Sequence, residues 1–206
     1  LPKDEAHPDC PFVEDQAIVI GNRCLLPRVG HQSRQGELPI IEAELSKHLS
    51  IEKMEAPAKL DGGDVVRIGD DFFVGNSTRT NEEGISTLRN FVESSGYTLS
   101  VVAIPNNALH LTSVCSSPTP DILLLTEDTV PIAAFGNLDG VDVELIPLTE
   151  IRGVNVIGFE NTAIVAEGAP TVKKIMERRG FDVISLDISQ ISAADASLTC
   201  MSVFFP

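Results

Sequence analysis

Short apolar runs along the chain alternate with one longer stretch of helical spacing, and this order recurs. In its first copy, residues 17–20 and 24–27 flank the pair Gly21-Asn22. Both residues tolerate positive φ, so the pair predicts a hairpin between two strands. Apolar residues at every third or fourth position of 38–49 predict a helix, and residues 51–54 predict a third strand.

The same order of strand, strand, helix and strand is predicted again further along the chain. In the second copy, Thr80 and Glu83 are expected to form a capping box at the start of the helix, and Gly96 is expected to end it. The other predicted elements are, in chain order, strands 65–68, 72–74 and 99–104; strand 110–114, strand 122–125, a short helix 130–135 and strand 141–146; strands 154–159 and 163–165, a helix from Pro170 to before Gly180 and strand 181–186; and a last strand 198–204.

The unit starts at 17, 64, 110, 154 and 198 are spaced by 44–47 residues. A period of this size is typical of repeat architectures, in which each unit buries its apolar faces against its neighbours. The mixture of strands and helices therefore predicts an α/β ring in one domain over residues 1–206. An ordinary α/β sandwich with coincidentally even spacing is the alternative, and the spacing alone leaves it open.

Two residues of this pattern suggest nucleophilic catalysis. Cys200 lies near the start of the fifth unit and His110 opens the third. A lone cysteine in an apolar strand is more commonly an inert core residue, but a cysteine nucleophile needs a histidine that is distant in sequence and near in space. Corresponding strand starts converge in a ring of repeats, so the two residues form a plausible pair.

Carboxylates gather at the other unit starts, and two arginines follow second strands. Asp61 and Asp64 flank Gly62-Gly63, whose glycines allow close backbone approach, and Asp9, Glu14 and Asp15 precede the first strand. Carboxylates are costly in an apolar segment unless a cation pairs with them. The similar placement of Arg34 and Arg79 suggests a shared anionic target such as an α-carboxylate. Together these residues indicate an arginine-like substrate.

Composition excludes several other classes of function. The chain carries 15 Lys and Arg against 30 Asp and Glu, a net charge of −15, with no basic cluster. Nucleic acid and anionic membranes are therefore not expected as partners, and no apolar run approaches the ~18 residues of a membrane span. Four cysteines without CxxC spacing predict a cytoplasmic protein with reduced thiols and no structural metal.

These motifs, taken together, resemble the dimethylarginine dimethylaminohydrolases of the guanidine-modifying superfamily, which have the pentein fold. Seven blocks in family order cover essentially the whole chain: residues 8–10 with 12–15, Ser33-Arg34, residues 60–65, residues 72–75, residues 79–81, residues 109–111 with Ser113, and residues 198–200 with Ser202. The resemblance implies a five-bladed α/β propeller of ββαβ units with pseudo-fivefold symmetry. It also implies hydrolysis of asymmetric dimethylarginine and monomethylarginine to citrulline and an amine, and a role in nitric oxide regulation.

The resemblance also implies individual roles for the site residues. Cys200 matches the nucleophile, His110 the general acid and base, and Asp61 the acid that supports the histidine. The expected substrate-binding residues are Asp9, the guanidinium-binding pair Glu14 and Asp15, the carboxylate-binding Arg34 and Arg79, and Ala194 through its backbone. No cofactor is implied, zinc is expected only as an inhibitor at Cys200, and no particular oligomeric state is predicted.

Departures from the family pattern leave two rival interpretations. Deiminases acting on free arginine or agmatine usually have Asp two residues after the histidine; Thr112 in that place favours dimethylarginine. The chain opens on Leu1, and family members carry a further N-terminal stretch that completes the fifth unit, so we expect a protein of roughly 270 residues on the pattern of closed repeat rings. An inactive, truncated binding fragment is the second rival.

Overall fold

The computed structural model describes residue 1 and residues 4–206, and its described part contains four three-stranded sheets in succession along the chain. In each sheet the first strand pairs antiparallel with the second, and the second pairs parallel with the third. The strands are β1 (Ile18–Ile20), β2 (Arg23–Leu26), β3 (Ser50–Lys53), β4 (Val65–Ile68), β5 (Asp71–Gly75), β6 (Thr98–Val102), β7 (Cys115–Ser116), β8 (Ile122–Thr126), β9 (Asp142–Ile146), β10 (Ile157–Phe159), β11 (Thr162–Ala166) and β12 (Asp182–Leu186). The α-helices of the described residues are α1 (Leu38–Leu45), α2 (Glu82–Glu93), α3 (Pro170–Arg178) and α4 (Ser189–Ser192).

Each parallel crossover contains a helix or a helical turn, so the predicted order of strand, strand, helix and strand is confirmed in four units. Gly21 adopts φ +57° between β1 and β2, and Gly96 adopts φ +86° after α2, as the turn and helix-end predictions require. In the third unit, a single 3₁₀ turn at Ile132–Phe135 stands in place of the predicted short α-helix.

Successive units bury their apolar faces against one another. Leu88, Phe91 and Val92 of α2 lie in one core cluster with Ile18 and Ile20 of the first sheet. In the same way α3 packs between the third and fourth sheets, and the second sheet packs against the third through a cluster that includes Phe73 and Phe135. The repeat therefore forms a continuous core, because each sheet covers the crossover of the unit that follows it.

The fourth sheet has an apolar face that is only partly covered, since Ile157 and Ile164 pack against Ile188 and Leu198 while the rest of the face is open to solvent. Pairing of β10, β11 and β12 places Ile157, Ile164 and Ile184 side by side on that face. Its outer members Phe159 and Ile184 are 58% and 48% exposed. In the described part of the chain no α-helix of the length of α2 or α3 covers it.

Two predicted strands are wrong, and both carry catalytic candidates. Residues 110–114 form a 3₁₀ turn at Leu111–Ser113, because Ser113 bonds back to the backbone of His110 and competes with sheet pairing. Residues 198–204 contain a 3₁₀ turn at Thr199–Met201 and no strand. The amide of Thr199 there donates to the side chain of Asn155.

The predicted capping box of α2 is also wrong. Asn81 is the N-cap, and its side-chain oxygen accepts a hydrogen bond from the Gly84 amide. The Thr80 hydroxyl instead donates to the buried carboxylate of Asp64. No helix of the described residues is long and apolar enough to cross a membrane, and the four cysteines are unpaired.

Candidate active site

A cavity of about 190 Å³ brings together most of the residues singled out in the sequence. It is lined by Asp9, Phe12, Asp15, Arg34, Arg79, Leu109, His110, Ala194, Asp195, Ala196 and Cys200. Seven of the nine predicted site residues line this cavity. The other two flank it: Asp61 lies behind His110, and Glu14 lies beside Cys200.

His110 is buried and held by carboxylates. Its Nε2 lies 3.0 Å from Oδ2 of Asp61, and its Nδ1 lies 3.9 Å from Oδ1 of Asp15. Burial by itself lowers the pKa of His110, but the hydrogen bond to Asp61 and the charges of Asp15 and Asp64 outweigh it and raise the pKa to about 9. The imidazole is therefore protonated at neutral pH and has a proton to donate.

The glycine pair brings this group of charges close together. A Cβ atom added at Gly63 would lie 2.7 Å from Nδ1 of His110 and 2.9 Å from Oδ1 of Asp15. The Gly63 amide also donates to that oxygen at 3.0 Å. A side chain at this position would push the imidazole and the Asp15 carboxylate apart. The absence of a side chain at Gly63 therefore permits the close approach expected of these glycines.

Arg34 is buried beneath the cavity and is already paired. Its guanidinium forms ion pairs with Asp15 and with Glu37, and it donates to the carbonyl of Phe12 at 2.8 Å. These partners raise its pKa against the lowering effect of burial, so Arg34 is a fixed cation. Glu37 was not expected in the site, because its position in the first-unit crossover resembles that of an ordinary exposed helix residue.

Arg79 is the more accessible of the two arginines. Its side chain is 24% exposed, and Nη1 lies 3.6 Å from Oδ2 of Asp61. Among the described residues, the Arg79 guanidinium has no hydrogen bond and Asp61 is its only ion-pair partner. Both arginines line the cavity, and Arg79 has more donors left for an anionic substrate group than Arg34.

Cys200 lies at the centre of the 3₁₀ turn, with its Sγ accepting from the Ser197 amide at 3.4 Å. Burial raises the pKa of the thiol to about 12, and the neighbouring Glu14 carboxylate adds to the shift. The thiol is therefore neutral in the free protein. Although His110 and Arg79 line the same cavity, a further positive charge beside the sulfur is needed to favour the thiolate.

Glu14 does not share the cavity with Asp15, so the predicted guanidinium-binding pair is divided between two sides of the nucleophile. Burial and the charge of Asp15 raise the pKa of Glu14 to about 7, while Thr199 donates to it. Its Oε2 is buried without a hydrogen-bond partner among the described residues. A second, mainly apolar cavity of about 300 Å³ lies on this side, lined in part by Ile18, Val156 and Phe204.

Asp64, which the sequence singled out together with Asp61 but gave no individual role, is buried beside the site. Its Oδ1 accepts from the Leu111 amide at 3.2 Å, and its Oδ2 accepts from the hydroxyls of Thr80 and Ser77. Burial raises the pKa of Asp64 to about 6. This carboxylate ties the loop that carries Arg79 to the segment that carries His110, a link that no sequence spacing indicates.

Asp15, Asp61 and His110 offer three potential metal-ligand atoms within 4.8 Å of one another. Two guanidinium cations already face these carboxylates, since Arg34 pairs with Asp15 and Arg79 approaches Asp61. A divalent cation placed there would be repelled by both arginines. The donor set therefore fits a hydrogen-bonded acid–base group better than a metal centre.

Comparison with known proteins agrees with this arrangement. The family model for arginine deiminase matches residues 5–131. Over 207 residues the chain is 32% identical to N(G),N(G)-dimethylarginine dimethylaminohydrolase (DDAH) of Pseudomonas aeruginosa, covering 100% of this chain and 80% of the relative. This chain belongs to the arginine deiminase/DDAH family. A second DDAH, from Streptomyces coelicolor, is 31% identical over 98% of this chain and 76% of its own length.

Solved structures of the DDAH family share the fold. A cysteine-to-serine variant of DDAH from Pseudomonas aeruginosa complexed with citrulline superposes with a TM-score of 0.89 at 30% identity, covering 98% of this chain and 78% of that one. The N-terminal domain of a cyanobacterial arginine dihydrolase superposes with a TM-score of 0.86 at 15% identity, covering 98% and 77%. At that identity the second likeness shows the fold alone.

Proposed function

We propose that this chain hydrolyses asymmetric dimethylarginine and monomethylarginine to citrulline and dimethylamine or methylamine. The observation that carries the proposal is the shared cavity of Cys200 and His110, which also holds acidic residues and arginines. The DDAH relatives, one of them complexed with citrulline, support the same substrate class. The cavity offers opposite charges for the two charged ends of an arginine derivative.

The substrate would lie with its guanidinium beside the thiol. Asp15 and Asp9 line the cavity and supply negative charge for the planar cation, and Glu14 faces Cys200 from the other side. Arg79 is our candidate for the α-carboxylate, while Arg34 fixes the orientation of Asp15. The backbone of Ala194, at the rim, is placed to contact the amino end.

The first half of the reaction displaces the amine. The bound guanidinium lowers the pKa of the thiol, which releases its proton to solvent, and the thiolate sulfur attacks the guanidinium carbon. His110, protonated at neutral pH, gives its proton to the departing nitrogen as the carbon–nitrogen bond breaks. Dimethylamine leaves, and a thiouronium joins the substrate carbon to Cys200.

The second half restores the enzyme. His110, now neutral, takes a proton from water, and the oxygen attacks the thiouronium carbon. Collapse of the tetrahedral species breaks the carbon–sulfur bond, and its hydroxyl proton passes to the leaving sulfur, which gives citrulline and restores the thiol of Cys200. Asp61 stabilises the imidazolium that is present before the first proton transfer and after the second, through its 3.0 Å contact. Every step uses side chains of this chain and one water.

Citrulline release from asymmetric dimethylarginine, monomethylarginine, arginine and agmatine tests the substrate class. We expect citrulline from both methylarginines and a much lower kcat/KM for arginine. One molecule of amine should be released for each molecule of citrulline. Faster turnover of arginine or agmatine would overturn the proposal in favour of a deiminase. Turnover of none of them would favour a binding protein.

We also propose that the four observed units belong to a five-bladed propeller of pseudo-fivefold symmetry. The exposed apolar face of the fourth sheet supports this, since the corresponding faces of the first and third sheets each cover the helix of a following unit. A cytoplasmic location, a role in nitric oxide regulation and inhibition by zinc at Cys200 stay predictions. Zinc inhibition is chemically reasonable because a thiolate and an imidazole are both zinc ligands.

A further inference from the structure

Asn155 connects the two halves of the catalytic pair, although it does not line the cavity. Its side chain is buried, with the residue 2% exposed. Its Oδ1 accepts from the Thr199 amide at 2.8 Å, and its Nδ2 donates to the Thr199 hydroxyl at 2.8 Å and to the Thr112 carbonyl at 3.3 Å. Thr199 precedes the nucleophile, and Thr112 follows His110 by two residues.

The orientation of this amide is fixed by its partners. The Thr199 amide can only donate and the Thr112 carbonyl can only accept, so Oδ1 must face the first and Nδ2 the second. The Thr199 hydroxyl then accepts from Asn155 and has its own hydrogen left to donate, which it gives to Glu14. One continuous set of hydrogen bonds thus runs from the histidine segment to the carboxylate beside Cys200.

The backbone that carries Asn155 is firmly held. Val154 and Val156 on either side are buried in one core cluster. The Ser116 hydroxyl donates to the Val154 carbonyl and accepts from the Val156 amide. By contrast, the turn that carries Cys200 belongs to none of the four sheets, so its position depends on side-chain contacts of this kind.

We propose that Asn155 is a positioning residue for the nucleophile: it fixes the Cys200 turn relative to His110 and orients the Thr199 hydroxyl toward Glu14. This inference rests on the proposed function, because it concerns the same thiol. Small displacements of a reacting group can cost about 100-fold in rate. Loss of the Asn155 contacts should therefore lower kcat more than it raises KM, since the residue touches no substrate-binding side chain.

Two substitutions separate the contacts. Asn155→Leu removes them all at similar size, and Asn155→Asp keeps the acceptor for the Thr199 amide while losing the donor. We expect kcat for dimethylarginine to fall about 10- to 100-fold in both, with KM changed less than about 3-fold. Asn90→Asp, on the exposed side of α2, is the matched control and should retain the parent rate.

Site-resolved alkylation of Cys200 against pH gives a readout independent of turnover. In the Asn155 variants the pH at which the thiol becomes reactive should shift. Without Asn155 the Thr199 hydroxyl is no longer oriented toward Glu14, the carboxylate beside Cys200. Thr199→Val should reproduce this shift, and Thr199→Ser, which keeps the hydroxyl, should show a smaller shift. If the Asn155 variants fail to fold, this pair of variants tests the proposed role of the Thr199 hydroxyl.

Unchanged kcat and alkylation in folded Asn155 variants, with only a lower unfolding temperature, would overturn the inference. The same result in Thr199→Val would also overturn it. If the parent protein released no citrulline, the proposed function would fail, whereas the alkylation profiles would still decide the role of Asn155.

Discussion

The imidazole Nε2 of His110 lies 3.0 Å from Oδ2 of Asp61, and both side chains are buried. Asp61 is itself fixed by the Gly30 amide, which donates to its Oδ1 at 2.6 Å. The carboxylate therefore remains in place when the proton on His110 moves. A buried imidazole in this setting is more fully protonated at neutral pH than an exposed one, so more of the protein carries the proton that the reaction needs.

Asp61→Asn should move the pH dependence of the reaction. Burial lowers the pKa of His110 and Asp61 raises it, so the loss of the carboxylate should bring that pKa down from about 9. We expect kcat at pH 8 to fall about 10- to 100-fold, and the basic limb of the pH–rate profile to move to lower pH. Asp70→Asn, at a side chain that is 93% exposed, is the control. An unshifted basic limb would contradict the assignment.

Glu14→Gln should stabilise the fold at alkaline pH. The pKa of Glu14 is raised from 4.5 to about 7 in the folded state, so its stabilising contribution is full below pH 4.5 and is lost as the pH rises through 7. Glutamine has no such loss, and the free energy of unfolding at pH 8 should rise by about 1–3 kcal/mol. Urea unfolding at pH 4.5 and pH 8 measures this; an equal effect at both values would be incompatible with a raised pKa.

Gly63→Ala should disturb the packing of His110 and Asp15 in the site. The added Cβ would lie 2.7 Å from Nδ1 of His110 and 2.9 Å from Oδ1 of Asp15, so at least one of these side chains must shift. We expect kcat to fall at least about 10-fold. Gly21→Ala makes an informative comparison, since its φ is +57° and nothing lies within 4 Å of its Cβ position. That change should cost about 1 kcal/mol of stability and leave kcat unaltered; equal kcat losses in the two variants would refute the steric argument.

Asp64→Asn should weaken both the fold and the catalysis. Asp64 accepts hydrogen bonds on both oxygens, from Leu111 on one and from Thr80 and Ser77 on the other. An asparagine must place an NH₂ group against one of these sets of donors, at a cost of about 1–3 kcal/mol. We expect a lower unfolding temperature and a lower kcat. Thr80→Val should lower both by less, because it removes one hydrogen-bond donor to Asp64 and places no donor against another donor. Parent-like kcat in a folded Asp64→Asn variant would mean that this residue has no role in aligning the site.

Local patterns predicted the repeated part of the fold well. The Gly21-Asn22 hairpin, the apolar stripe of α2 and the Pro170 start of α3 each depend on neighbouring residues in sequence, and all are present. The two segments that carry Cys200 and His110 were predicted as strands and are 3₁₀ turns. Their shape depends on hydrogen bonds from Asn155 and Ser113, which alternation of apolar residues does not reveal.

The residues of the site were predicted from the sequence, but the ion pairs and hydrogen bonds among them were not. Motifs placed Asp15 and Arg34 in one site, but the ion pair between them and the contribution of Glu37 are evident only in the folded structure. The position of Glu14 behind the nucleophile was unexpected for the same reason. Adjacent residues in a 3₁₀ helix point in different directions, so Glu14 and Asp15 face different cavities.

Citrulline release from asymmetric dimethylarginine by the parent protein and by Cys200→Ser tests the central claim most directly. Cys10→Ser is the matched control, at another unpaired and partly exposed cysteine. The account predicts citrulline from the parent and from Cys10→Ser, loss of steady-state release in Cys200→Ser, and a covalent adduct on Cys200 in the intact mass of the quenched parent. Release of citrulline by Cys200→Ser at the parent rate would contradict it.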